Sequence, residues 1–438
     1  MSVLSRDEAQ ALLEKALSHV TADHASASLS GSSRGNIRYA RNTVTTSGQE
    51  DNVSLSVTCT FGKRSGSSST NDLSDDAIQR AVVRAEELAR LAPENPEFMP
   101  PVGPQRYLET PSLAPFTATL DASYRANVAR KGIEASKQAG VTAAGFLEHS
   151  TGFSALMNSA GLFGYNQGTG VDFSLTVRTA DGTGSGYVER DVNDAMRFDA
   201  TESSQIAVDK ALASQAPRAL EPGRYTVILE PSASVGLLQT MFWNMNLRAA
   251  EEGRTYFSRP GGETRIGEQF LDERISLSAD PQDQDIPSGP WGEDGLALAP
   301  VTWVENGVLK NLAISRYWAD QKGVAPLLNP GRMRMAGTEK SLAQLIAETE
   351  RGILVTRTWY IRAVDPQTLL YTGLTRDGTF YVENGQVRYP VKNFRFNESP
   401  IIMLNNLDDL GKPMRMNGHM IPPMRIRDFS FTSLSDAI

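Results

Sequence analysis

The sequence contains very few residues that hold metal ions or form disulfides. Its 438 residues include one cysteine, Cys59, and four histidines. A single thiol excludes an intrachain disulfide and a multi-cysteine metal cage, and it suits a reducing compartment. The histidines (His19, His24, His149 and His419) do not have the spacing of a metal-binding helix motif. We therefore expect no metal or other cofactor in this chain.

Long apolar runs and an excess of positive charge are also absent. No stretch approaches the roughly 18 apolar residues of a membrane-spanning helix, and the N-terminus lacks the apolar core of a signal peptide. Lys and Arg number 43 against 51 Asp and Glu, a net charge of −8. This balance argues against nucleic-acid binding, which depends on neutralising phosphates. We expect a cytoplasmic protein that does not enter a membrane.

Motifs for nucleophilic, nucleotide or calcium chemistry are missing too. The sequence has no Gly-x-Ser-x-Gly elbow between a predicted strand and a predicted helix, and no phosphate-binding P-loop. The glycine-rich run from Gly182 to Gly186 falls within a predicted meander, so we interpret it as a hairpin turn. The run from Asp280 to Asp285 lacks the sixth-position glycine and twelfth-position glutamate of a calcium loop, and we interpret it as an acidic surface loop.

The N-terminal half repeats one order of elements. A capping box at Ser5 and Glu8 begins a helix, Ser/Thr-rich strands follow, and a second helix begins after Ser74. The same order returns after Asp121, with a last helix from about Thr201 to Ser214. The strands are predicted at Ala25–Ser32, Ile37–Thr43, Val53–Thr60, Val141–His149, Phe153–Asn158, Val171–Arg178 and Gly184–Arg190.

One ungapped alignment between the two halves supports an internal repeat. Residues 53–66 match residues 173–186 with six of fourteen pairs identical, among them Gly66 with Gly186. We interpret this as an internal duplication of a helix–meander–helix unit. Chance similarity between Gly/Ser-rich strand-turn-strand segments is the alternative.

The C-terminal half is predicted to be rich in β structure. Tyr225–Glu230 has the pattern of a buried strand, and a helix is predicted from Pro231 to Arg248. Hairpins are predicted at Asn306-Gly307 and Asn384-Gly385, because Asn-Gly supplies the two positive φ angles of a type I′ turn; a third turn is predicted at Asp377-Gly378. The fold class is α+β. We predict α/β units over 1–115 and 116–220 and a β-rich domain over 221–438.

One segment of the C-terminal half concentrates arginines and large aromatic residues. Its members are Arg357, Trp359, Tyr360, Arg362 and Arg376. They could form a groove floor that binds a peptide, with the arginines gripping a carboxylate or backbone carbonyls. They could equally form a cross-strand ladder of arginine, aspartate and aromatic side chains that holds a sheet together. The sequence leaves both interpretations open.

Short motifs recur in a characteristic order and spacing along nearly the whole chain. They are Asn158–Gly161, Glu221–Pro231, Gly352–Thr356, Thr375–Gly385 and Tyr389–Lys392. In this order and spacing they resemble the TldD/PmbA family, whose members include chains described as modulators of DNA gyrase.

The resemblance implies an N-terminal α/β region, a β-rich C-terminal domain and dimers built around an internal cavity. It also implies two kinds of chain. TldD-type members are zinc peptidases that act on unfolded or modified peptides. Their site combines a helix reading His-Glu-x-x-x-His with a cysteine near the C-terminus. PmbA-type members, also called TldE, lack this set and pair with a TldD-type chain.

This sequence departs from the zinc motif at every position. The first histidine falls on Gln239, the general-base glutamate on Thr240 and the second histidine on Asn244, and no cysteine follows. Amide side chains cannot replace two imidazoles, and Thr240 cannot act as a carboxylate base. His419 lies near the place of the third ligand, but one histidine cannot hold a catalytic zinc. Zinc is therefore expected only in a TldD-type partner.

Three functional hypotheses follow. The first is a TldE/PmbA-like subunit, not catalytic alone, that forms a heterodimer with a TldD-type zinc peptidase and contacts its peptide substrate. The second is a homodimeric peptide-binding or scaffold protein without a peptidase partner. The third is a self-sufficient hydrolase that uses the arginines with Asp365 or Asp377.

Overall fold

The computed structural model describes residues 3–435, which form a mixed α/β fold as predicted. The helices are α1 (Arg6–Ser18), α2 (Asp75–Leu91), α3 (Ala122–Gln138), α4 (Ala200–Ala213), α5 (Pro231–Asn244), α6 (Leu247–Glu251), α7 (Arg316–Lys322), α8 (Leu342–Ala347) and α9 (Pro400–Asn405). The N-terminal strands are β1 (His24–Ala40), β2 (Thr43–Phe61), β3 (Arg64–Thr70), β4 (Thr142–Asn158), β5 (Phe163–Arg178) and β6 (Ser185–Val192). The C-terminal strands are β7 (Gly223–Leu229), β8 (Leu277–Ala279), β9 (Val301–Glu305), β10 (Val308–Leu309), β11 (Arg334–Met335), β12 (Arg351–Asp365), β13 (Leu370–Glu383), β14 (Gln386–Pro390), β15 (Phe394–Glu398), β16 (Leu407–Leu410), β17 (Met414–Met416), β18 (His419–Ile421) and β19 (Met424–Leu434). Within this described range, no helix is both long and apolar enough to cross a membrane.

The six N-terminal strands form one antiparallel sheet in the order β3-β2-β1-β4-β5-β6. Two pairs of predicted strands are in fact single strands, because β1 and β4 each run unbroken for 17 residues. The polar, glycine-containing middle of β1 does not end it, since Gly31 is paired with Val53 on one side and Phe153 on the other. Pairing on both sides satisfies the backbone groups whatever the side chains are. Since strands of both predicted N-terminal units share this sheet, the boundary between those units stays a prediction.

The two halves of this sheet are related in a way that supports the predicted duplication. Each outer strand packs closely under a helix. A Cβ added at Gly66 of β3 would lie 2.2 Å from the Ala89 nitrogen of α2, and one at Gly186 of β6 would lie 2.1 Å from the Ala207 oxygen of α4. Both aligned glycines therefore permit the same close helix–strand contact. The strand registers differ by two residues, since Gly66 pairs with Cys59 but Gly186 with Val177.

All four N-terminal helices pack on one face of the sheet. The odd-numbered residues of β1 point to this face, with Leu29 contacting the cluster of α1 and α2 and Ile37 that of α3 and α4. Successive side chains of a strand alternate between faces. The even-numbered residues of β1, beginning with Ser26 and Ser28, therefore lie on the face without helices. This second face forms one wall of the cleft described below.

The C-terminal half contains a closed ring of strands. The pairings run β12-β7-β19-β15-β13, and β13 pairs again with β12. Aromatic side chains fill its interior, with Phe394 stacked 4.5 Å from Phe431. A second sheet has the order β10-β9-β8-β11-β18-β17. The predicted Asn306-Gly307 and Asn384-Gly385 turns are confirmed, because both residues of each turn have positive φ angles.

Two predictions in this half are wrong. Asp377-Gly378 is a bulge inside β13 rather than a turn, with φ of 54° and 120°. The strand continues because it keeps its neighbours beyond the bulge. The helix predicted from Pro231 to Arg248 breaks after Asn244, where Asn246 caps a separate short helix, α6, by accepting a hydrogen bond from the Ala249 nitrogen.

Candidate functional site

Helix α5 carries the three positions at which the resemblance places zinc ligands and a base. Thr240 is buried, and its hydroxyl donates to the Leu237 carbonyl oxygen at 2.6 Å. Asn244 donates through Nδ2 to the Thr240 carbonyl oxygen at 2.7 Å. Gln239 is half-buried. Two of the three side chains are thus engaged with the helix's own backbone.

The residues around α5 do not fit a zinc ion. Within residues 3–435, no three His, Cys, Asp or Glu side chains come together in a way that could hold a metal. His419 does lie beside the helix, with its ring centroid 5.6 Å from that of Phe242. Its Nδ1 accepts a hydrogen bond from the Met333 nitrogen at 3.1 Å. That nitrogen is therefore already used as an acceptor.

Burial of His419 makes the stability of the folded protein sensitive to acid. The imidazole is 7% exposed, and its pKa falls to about 4, first because of desolvation and then because of the nearby Arg332 charge, while Asp191 opposes the change. The neutral ring is thus the form that the folded state favours. Its contribution to stability is complete above the ordinary pKa of 6.5 and is lost as the pH falls from there towards 4.

We expect acid to destabilise the protein less when His419 is replaced by Asn, whose oxygen can still accept from the Met333 nitrogen. The full pKa difference corresponds to about 3 kcal/mol, of which about 2 kcal/mol should be lost by pH 5. Urea unfolding of both proteins at pH 7 and pH 5 measures this difference. Other titrating groups cancel in the comparison, and equal losses in both proteins would contradict the prediction.

The arginine and aromatic segment separates into two groups. In the first, Arg357 donates through Nη1 to Asp377 at 3.0 Å, and its guanidinium lies 3.7 Å from the Tyr187 ring centre and 4.7 Å from that of Trp359. Arg376 lies 3.8 Å from the same aspartate. These contacts resemble the predicted cross-strand ladder, extended by Tyr187 of β6. They leave a peptide-binding role for Arg357 and Arg376 as a prediction.

The second group consists of Tyr360 and Arg362 and is exposed. Tyr360 belongs, with Trp359, to an apolar strip. Trp359 is 45% and Tyr360 56% exposed, and Arg362 stacks on Tyr360 at 4.4 Å. The neighbouring Ile361 instead packs against α5, because its Cδ1 would lie 2.8 Å from a Cβ at Gly236. We define the apolar strip as the exposed hydrophobic side chains on α5, β12 and α9, namely Trp243, Trp359, Tyr360, Val364 and Ile402.

A cleft separates the second face of the N-terminal sheet from loops of the C-terminal half. It consists of two adjoining cavities of about 590 and 760 Å³. The opposite wall includes Trp291, Tyr317 and Arg332. We call the sheet wall the serine face and define it by eight residues. These are Ser26, Ser28, Ser30, Ser32, Ser54, Ser56, Ser150 and Ser154.

Strand register brings these serines together. Ser30 of β1 is paired with Ser54 of β2 and with Ser154 of β4, so three hydroxyls stand in one row across the sheet. The eight hydroxyls make no hydrogen bond within residues 3–435. The serine face was not predicted from the sequence, although serine stands at every second position from 26 to 32.

Known proteins of one family are similar to this chain over most of its length. Three family profiles match in sequence order: PmbA/TldA metallopeptidase domain 1 over residues 25–89, the central domain over 109–215 and the C-terminal domain over 222–433. The Metalloprotease PmbA of Escherichia coli O157:H7 is 25% identical over 94% of this chain and 92% of its own length. A Metalloprotease PmbA homolog of Haemophilus influenzae is 23% identical over 82% of this chain and 79% of its own.

A solved structure has the same fold. TldE from Thermococcus kodakarensis superposes with a TM-score of 0.86 at 17% identity, covering 97% of this chain and 99% of that one. With three profiles matched in order and the fold shared along its length, the chain belongs to the PmbA/TldD family.

Proposed function

We propose that this chain is a TldE-like, non-catalytic subunit of a peptidase whose zinc site lies in a TldD-type partner. The observation that carries the proposal is α5, which keeps its place beside His419 but presents Gln239, Thr240 and Asn244 where zinc chemistry needs two imidazoles and a carboxylate. The single, buried thiol of Cys59 suits a complex that works in the cytoplasm.

The apolar strip supports association with the partner chain. Trp243 is 74% exposed on α5 and lies within the degenerate motif, directly before Asn244. Tyr360, Val364 and Ile402 are each more than half exposed on neighbouring elements. Exposed large apolar side chains, and Trp and Tyr in particular, are typical of protein–protein interfaces. In the proposed heterodimer the TldD-type chain covers this strip.

The cleft supports contact with the peptide substrate. A peptide that is unfolded has unpaired backbone N–H and C=O groups. The free hydroxyls of the serine face can donate to and accept from such groups whatever the peptide side chains are. In the proposed complex this chain forms part of a chamber that holds an extended peptide, while cleavage takes place on the partner.

Mixing the two chains tests the proposal. We expect this chain to co-purify with a TldD-type chain of the same organism that carries His-Glu-x-x-x-His, and only the mixture to cleave a quenched, unstructured fluorescent peptide. The control is a partner whose motif glutamate is replaced by Gln, which should leave the mixture inactive. Cleavage by the partner alone at the rate of the mixture would overturn the proposal.

Two other results would favour the alternative hypotheses. A stable homodimer that does not associate with TldD-type chains would favour a peptide-binding or scaffold protein, in which a second copy covers the apolar strip. Cleavage by this chain alone that is abolished in Arg362→Ala would favour a self-sufficient hydrolase.

A further inference from the structure

Arg332 lies in the wall of the cleft and has no partner among residues 3–435. It lines the 760 Å³ cavity, opposite the serine face. Its Nη1 is buried and has no hydrogen-bond acceptor, and its side chain makes no ion pair within residues 3–435. A guanidinium carries five N–H donors and stays protonated. Such a group is costly to leave unpaired when it is partly buried.

The nearby acidic residues do not supply the missing acceptor. Burial lowers the pKa of the Arg332 guanidinium most and the Arg415 charge lowers it further, while Asp191 and Asp172 oppose the change without forming an ion pair with Arg332 within residues 3–435. The Asp191 carboxylate is already engaged, because Arg415 donates to it through Nε at 2.7 Å and the Gly418 nitrogen donates at 3.0 Å. The guanidinium of Arg332 therefore remains available to an anion that enters from the cleft.

The serine face is long enough for an extended peptide that carries this anion to lie along it. Ser26 and Ser32 are six residues apart on β1, and a strand rises about 3.3 Å per residue, so the row of hydroxyls spans roughly 20 Å. That is the length of about six residues of extended peptide. Ser150, Ser154 and Asn166 continue the polar wall beside Arg332 in the same cavity.

We propose that Arg332 anchors a carboxylate of an extended peptide that lies along the serine face. This deepens the proposed peptide-binding role and rests on it. The carboxylate can be the C-terminus of the peptide or an acidic side chain, because both present two oxygens to the guanidinium. Arg332 thereby favours peptides that bring a negative charge to this end of the cleft.

Direct binding to the full chain tests this proposal without a partner. The probes are three fluorescein-labelled decapeptides of Gly, Ala, Ser, Thr and Asn: one with a free C-terminus, one amidated, and one amidated with a central Glu. Fluorescence anisotropy should show at least about tenfold tighter binding of the free acid than of the plain amide. Recovery of affinity by the Glu peptide would identify an acidic side chain as a second source of the carboxylate.

Variants of Arg332 test whether the difference in affinity between the free acid and the amide depends on its guanidinium. In Arg332→Gln the acid and the amide should bind alike, and in Arg332→Lys part of the difference should remain, because a point charge replaces the planar fork. Arg388→Gln, which removes an exposed arginine of β14, should keep the full difference. Thermal unfolding verifies that each variant is folded.

Three outcomes would overturn the proposal: equal affinity of the wild-type chain for acid and amide, a difference that survives in Arg332→Gln, and no binding of any probe at 1 mM. If Arg332→Gln does not fold, the affinities of the wild-type chain and of Arg332→Lys for the acid and the amide still test the proposal. Failure of the partner-mixing experiment leaves these affinities unaffected, so the two proposals fail separately.

Discussion

Replacing Asp377 with Ala is expected to lower the free energy of unfolding by about 3–5 kcal/mol, which is typical when one member of a buried ion pair is removed. Asp377 is 2% exposed, accepts from the Ser185 hydroxyl at 2.7 Å and pairs with Arg357 at 3.0 Å. Without the carboxylate, the guanidinium stays between Tyr187 and Trp359 with no counter-charge. Urea denaturation of both proteins measures the loss.

Asp365 provides the matched control on the same strand pair. It is an aspartate at the end of β12 whose contacts are local, to the Thr368 hydroxyl and the Gln367 nitrogen. Asp365→Ala should cost no more than about 1 kcal/mol. A loss in Asp377→Ala as small as that of the control would show that the contacts of Asp377 with Ser185 of β6 and with Arg357 of β12 contribute little to stability.

Replacing both Trp243 and Tyr360 by Ser is expected to weaken association with the proposed TldD-type partner by at least about 100-fold. Large aromatic residues in the centre of an interface each contribute roughly 2 kcal/mol or more, and a factor of ten in affinity corresponds to about 1.4 kcal/mol. Since both side chains are mostly exposed in the single chain, the substitutions should not destabilise its fold. Sedimentation velocity of the mixed chains measures the change.

Leu91→Ser is the control for the loss of an exposed apolar side chain elsewhere. Leu91 is 83% exposed at the end of α2, on the N-terminal half. Its replacement should leave association unchanged. If the double variant binds the partner as tightly as the Leu91 variant does, the apolar strip is not the interface.

Features governed by short-range chemistry could be predicted from the sequence. The capping box of α1 is confirmed, with the Glu8 nitrogen donating to the Ser5 hydroxyl and Glu8 accepting from the Ser5 nitrogen. The two predicted Asn-Gly turns are confirmed for the same reason, because their φ angles depend on the two residues themselves. A further pair of this kind, Asn417-Gly418, was missed although both residues have positive φ.

Features set by distant strands could not be predicted. Whether Ser32–Asn36 continues β1 depends on neighbours contributed by β2 and β4. The Asp377-Gly378 pair has the composition of a turn, yet its outcome depends on β12 and β15, which hold the strand in place on either side. Local propensity is a weak guide wherever pairing decides the backbone conformation.

The candidate site shows the same limit. The family resemblance predicted which positions of α5 depart from the zinc motif, because a motif is a property of consecutive residues. The serine face needed the register between β2, β1 and β4, and Arg332 lies 178 residues from Ser154 in the sequence. No pattern within either segment indicates that they meet in one cavity.

The position of β19 within the ring constrains how this protein can be made. On the ribosome, β1 to β6 are complete when residue 192 emerges, so the N-terminal sheet can form early. The ring cannot, because β7 and β15 are held together by β19, which spans residues 424–434. During synthesis of the intervening two hundred or so residues, the aromatic side chains destined for the ring interior stay without their final cover. A nascent chain at this stage exposes apolar surface that the finished ring buries, and such surface promotes aggregation.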